Sequence, residues 1–144
     1  MKANHTVLNG LIEACRDDVH ALSTAAQVVA GGARRARLED FVRRRETFVH
    51  ELVALVRADG RSPSDEGTMG ETLRGAFRTA RSFVIGDNTG DAYAWCEVVE
   101  GKTQERYETA LAGVLSTGGR AAIQRHHDEI ASDHAELRLR RSGG

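Results

Sequence analysis

The stretch Ile123-Gln124-Arg125-His126-His127-Asp128-Glu129-Ile130-Ala131-Ser132-Asp133-His134-Ala135-Glu136-Leu137 decides the fold class. Its large apolar residues recur every seven positions, which a helix of 3.6 residues per turn brings to one face. Steps of four add two histidines, so the stripe reads Ile123, His127, Ile130, His134, Leu137. A plain helical bundle would place leucine at both histidine positions. The segment before it has the same character: Cys96, Val99, Thr103 and Tyr107 form a stripe, with Glu100 on its shoulder. Burying such groups is costly unless they are paired or ligate a metal.

Helical periodicity extends outward over most of the chain. The spacing predicts a first helix over Thr6–Ala30, ended by Gly31-Gly32, and a second over Ala33–Ala58, with Leu38, Phe41, Phe48, Leu52, Leu55 and Val56 as its stripe. A loop carrying the only proline, Pro63, follows. A shorter helix is predicted over Met69–Val84, a fourth over Asp91–Leu115, a break at Ser116-Thr117-Gly118-Gly119, and a fifth over Arg120–Arg140. The expected fold is all-α: a ferritin-like up-down four-helix bundle, with a short crossover helix between the second and third long helices. That connectivity joins two antiparallel hairpins by one long crossover. The expected organisation is a single domain over 1–144, with a first hairpin at 5–58, the crossover at 69–85 and a second hairpin at 91–141.

Composition narrows the function classes. A formal net charge of -1 argues against a general nucleic-acid binder. The arginines at 34, 35, 37, 43, 44 and 45 read as a solvated helix face balanced by Glu39, Asp40, Glu46 and Glu51, with an anionic partner as the weaker reading. No stretch approaches the roughly 18 apolar residues of a membrane span, and Met1–His5 lacks a signal peptide's apolar run. A cytoplasmic, membrane-free protein is expected. Cys15 and Cys96 fall on apolar faces and are expected as buried reduced thiols, with a disulfide between them left open.

Several stretches resemble an uncharacterised bacterial family of ferritin-like domains of unknown function. Leu8-Asn9-Gly10-Leu11-Ile12-Glu13-Ala14-Cys15-Arg16-Asp17, continued by Ala25-Ala26, is similar to that family's first helix. Arg45-Glu46-Thr47-Phe48-Val49-His50-Glu51-Leu52 is similar to its second, and Cys96-Glu97, Glu100 and Tyr107-Glu108 to its fourth. The crossover departs from it. Leu73-Arg74-Gly75-Ala76-Phe77 lacks the family's His-Arg pair, and Phe77 stands where Trp is usual. The resemblance implies the fold and brings no assigned activity.

A ferritin-like di-iron centre needs one Glu from each of two helices and Glu-x-x-His from each of the other two. No Glu-x-x-His occurs. The nearest approaches are Gln124-x-x-His127, Glu46 with His50, Glu97 with Glu100, and Asp17-x-x-His20; Asp18 lies nearest the first helix's stripe. A reduced single-metal site for iron, manganese or zinc would use Glu51, Glu100 and His127. The competing reading is a hydrogen-bonded polar layer that fixes helix register. His126, His127, Asp128, Glu129, Asp133 and His134 read as a partly exposed polar face. No nucleophile elbow, phosphate loop or Cys-x-x-Cys is present. The function expected is therefore a non-enzymatic, stress-related bundle that needs no cofactor and acts through a homodimer or a protein partner. The alternative is a metal-binding protein or oxidoreductase with a degenerate carboxylate-histidine centre.

Overall fold

The computed structural model describes residues 2–63, 89–113 and 117–142. Those residues form four helices and no strand: α1 (Lys2–Val28), α2 (Gly32–Ala58), α3 (Thr89–Ala112) and α4 (Thr117–Ser142). The crossover helix expected at 69–85 lies outside the described residues. Among them, no helix is long and apolar enough to cross a membrane.

The turn between α1 and α2 is set by Gly31, whose φ of 95° is open to glycine and strained for other residues. α2 ends at Ala58; Asp59 N–H donates to the Val56 carbonyl and Gly60, at φ 73°, donates to Arg57 O. α4 begins earlier than the sequence suggests, so Gly118-Gly119 lie in its first turn rather than in a break. Arg120 then reaches back to α3. Its Nη1 donates to Leu111 O at 2.9 Å and its Nη2 to Gly113 O at 2.8 Å. A guanidinium thus takes up carbonyls that a helix end leaves without partners of its own.

Among the described residues, two large apolar clusters stack along the bundle, beside a small one of Ala21 and Val99. The first takes Leu11, Ile12 and Cys15 from α1, Phe48, Leu52 and Val56 from α2, Tyr107 from α3, and Ile123 and Ile130 from α4. The second takes Leu22 and Val29, Leu38 and Phe41, Tyr93 and Cys96, and Leu137. α1 and α4 run from the first cluster to the second; α2 and α3 run from the second to the first. Helices α2 and α3 are therefore parallel. α1 packs along α2 and α3, α3 packs along α4, and α2 and α4 lie farther apart and meet through long side chains. Both cysteines are buried and free.

Candidate functional site

Between the two clusters, each helix turns a charged residue into the core. On α1 the stripe steps from Cys15 to Asp18 to Leu22, and on α2 from Phe41 to Arg45 to Phe48. On α3 it steps from Cys96 to Glu100 to Thr103, and on α4 from Ile130 to Asp133 to Leu137. These steps of three and four are the spacing that puts side chains on one helix face. Asp18, Arg45 and Glu100 are 0% exposed, and Thr103 and Asp133 2%.

Arg45 is the hub. Its Nε donates to Glu100 Oε1 at 3.2 Å, and its Nη2 donates to Glu100 Oε2 at 2.8 Å and to Asp133 Oδ2 at 2.9 Å. Asp18 Oδ2 stands 3.3 Å from Nε. One guanidinium thus meets a carboxyl group from each of the other three helices. Thr103 Oγ1 donates to Asp18 Oδ1 at 2.6 Å, and Arg44 Nη2 lies 3.2 Å from Asp133 Oδ1.

Burial pushes the Asp18 carboxyl well above its ordinary range, and the nearby Glu100 carboxylate pushes it further. Arg45 and the Thr103 bond pull it down less strongly. Burial works against the charge on Arg45, yet Glu100, Asp18 and Asp133 together raise its value. Arg44 and Arg45 thus face Glu100 and Asp133, while burial and the nearby Glu100 favour the neutral form of Asp18. This pairing offsets the cost of burying the charges, and Arg45 Nη1 and Asp18 Oδ2 remain buried without a hydrogen bond.

A second polar path leaves the first cluster for the surface. His126 is 0% exposed and stacks on Phe48, with ring centroids 4.0 Å apart and planes 14° apart. Its Nε2 is 3.3 Å from Glu51 Oε1, and its Nδ1 is 2.9 Å from Tyr107 Oη. Tyr107 Oη is in turn 3.3 Å from Cys15 Sγ. Arg125 holds the other oxygen of Glu51. An ionised carboxylate only accepts, so the Nε2 hydrogen is donated to Glu51 and Nδ1 is left as an acceptor. Tyr107 then donates its hydroxyl to Nδ1, and the Cys15 thiol donates to the phenolic oxygen. Burial lowers His126 to about 4, against the opposing pull of Glu51, so the ring is neutral at pH 7. Burial also pushes the Tyr107 phenol and the Cys15 thiol up, away from ionisation.

The three residues proposed as metal ligands have separate partners. Glu100 belongs to the central layer, and Glu51 is held by Arg125 and His126. His127 bonds Glu108 through Nε2 at 3.1 Å. Among the described residues, no group of three or more His, Cys, Asp or Glu is arranged to hold a metal ion. Two stripe assignments are corrected. His126 and Asp133, not His127 and His134, face the core. Ile123 and Ile130 are fixed points, and the position between two residues seven apart can be filled three or four steps on. Partners decide it here: Tyr107 and Glu51 wait for a residue at 126, and Arg45 for one at 133. His134 instead bonds Gln104 at 3.0 Å and lies over Gly101. Arg45 is also corrected, from a surface cluster to the centre of the molecule. Its position midway between Phe41 and Phe48 was the available signal.

Residues 4–113 match a family described as Domain of unknown function (DUF2383). The chain belongs to this family. The DUF2383 match includes Asp18, Arg45, Glu51, Glu100 and Tyr107, whereas His126 and Asp133 on α4 lie beyond it. No curated protein and no solved structure matches the chain.

Proposed function

We propose that this chain is a non-enzymatic, ferritin-like bundle whose charged layer is structural, and that it acts at its helix surfaces through self-association or a protein partner. Helix direction supports the ferritin-like assignment. α2 ends at the first cluster and α3 begins at the second, which is the relation left by a long crossover between two antiparallel hairpins.

One observation carries the non-enzymatic reading: a guanidinium occupies the middle of the carboxylate set. A divalent ion among Asp18, Glu100 and Asp133 would stand against the positive charge of Arg45, so this donor set does not fit a metal centre. Among the described residues, the groove beside the layer does not open onto it. A groove of about 520 Å³ between α1 and α3 is lined by Val7, Leu11, Lys102 and Ala110, and none of the layer's charged residues borders it. Contacts with other molecules then fall to the outer faces, where Val98 and Leu139 are exposed on α3 and α4.

The test is to incubate untagged protein with iron(II), manganese(II) and zinc(II), desalt it, and measure metal per chain. Light scattering over a concentration series reads association in parallel. The expected result is well under one metal per chain and a mass that rises with concentration. Stoichiometric metal, lost on His127→Ala, would instead support a degenerate carboxylate-histidine centre.

A further inference from the structure

The path from Cys15 through Tyr107 and His126 to Glu51 is not needed to balance the central layer, yet its hydrogen bonds all point one way. Three of its four members are fully buried, so no substrate reaches them. Electrons and protons can. We propose that Tyr107 is a one-electron redox site whose phenolic proton passes to His126, making the bundle an acceptor of oxidising equivalents from radical oxidants.

The step balances as follows. A one-electron oxidant, such as a peroxyl radical, takes one electron from Tyr107 and is itself reduced. The phenolic O–H bond breaks and its proton forms an N–H bond at His126 Nδ1, 2.9 Å away. The products are a neutral tyrosyl radical and an imidazolium. The Glu51 carboxylate at Nε2 stabilises that new positive charge. Cys15 supplies the next step over 3.3 Å. Its S–H bond breaks, the hydrogen atom restores the Tyr107 hydroxyl, and the unpaired electron rests on sulfur.

Burial makes the histidine essential. Oxidised phenol is strongly acidic, and in an apolar core it has no water to take the proton. A neutral imidazole within hydrogen-bond distance accepts it without reorganisation, the requirement for a positioned base. His126 is neutral at pH 7 because burial lowers it to about 4.

The experiment is rapid mixing with hexachloroiridate(IV), freeze-quenching, and electron paramagnetic resonance. The chain has only two tyrosines, Tyr93 and Tyr107, which makes assignment tractable. The expected result is a tyrosyl signal in the wild type that narrows when the protein carries ring-deuterated tyrosine. It persists in Tyr93→Phe, is lost in Tyr107→Phe, and decays severalfold more slowly in Cys15→Ala. Should Tyr107→Phe fail to fold, the labelled wild type and Tyr93→Phe still assign the radical. Absence of a tyrosyl signal in the wild type, or its loss in Tyr93→Phe, would overturn the proposal. It stands apart from the metal test, because neither result depends on bound metal.

Discussion

Arg45 is the residue on which the interior depends. Removing it leaves carboxylates buried against one another, and breaking a buried pair from one side costs about 3–5 kcal/mol. Arg45→Met is therefore expected to lose that much stability in urea unfolding at neutral pH. Part should return when Glu100→Gln and Asp133→Asn are added, since an apolar or neutral layer needs no counter-charge. Asp18 gives a pH dependence of definite sign. Its folded value lies above the ordinary 3.8, so its contribution is full below that value and is lost as pH rises through the folded value. Asp18→Asn cannot ionise and still offers Oδ1 to Thr103. Its stability should fall less than the wild type's as pH is raised. His126 has the opposite sign. Lowered from 6.5 to about 4, it stabilises the fold above 6.5 and loses that contribution as pH falls through 4. His126→Gln should flatten this acid limb. His127→Ala, at a ring 18% exposed whose partner Glu108 is solvent-facing, should change stability by less than about 1 kcal/mol. A result in which His127 matters more than His126 would contradict the assignment of the inward face. At this scale the sequence was legible in part. Asp18 and Glu100 stood out because a charge beside an apolar stripe is unusual. Arg45 did not, because six other arginines on the same helix made it look like one more solvated cation.

The helices themselves were the most legible feature, since each is long and periodic enough to be read without knowledge of its neighbours. Their ends were less so. α1 starts at Lys2 and α4 at Thr117, both earlier than the starts at Thr6 and Arg120 that the spacing predicts. Terminal turns are held by tertiary contacts such as the reach of Arg120 to α3, which no local pattern encodes. Gly101 is a testable element-scale feature. It sits in the middle of α3, where glycine costs about 1 kcal/mol relative to alanine. A Cβ built there would meet His134 Cε1 at 3.6 Å and Nε2 at 3.7 Å, ordinary contact distances. Gly101→Ala should therefore raise stability by up to about 1 kcal/mol, seen as a higher melting temperature. A lower one would mean that the His134 ring must lie flat on the α3 backbone.

At the scale of the bundle, the described residues form two large apolar clusters joined by an ionic layer to which each of the four described helices contributes. The parallel run of α2 and α3 is the one expected if the short helix travels back along the bundle, and that helix lies outside the described residues. The layer was foreseen only as one of two readings, because sequence cannot tell whether inward acids close on a metal or on a cation supplied by the chain. The two cysteines fall one to each cluster, Cys15 in the first and Cys96 in the second, and both are wholly shielded. That placement gives the protein a pair of internal clocks. A thiol-reactive dye added in slight denaturant can modify each sulfur only when its own half of the molecule opens, and mass spectrometry of the peptides times the two separately. If the ionic layer couples the halves, both sulfurs will be modified at one rate with one dependence on denaturant. If Cys96 reacts first, the half that holds the α1–α2 turn breathes on its own, and cooperativity stops at the layer.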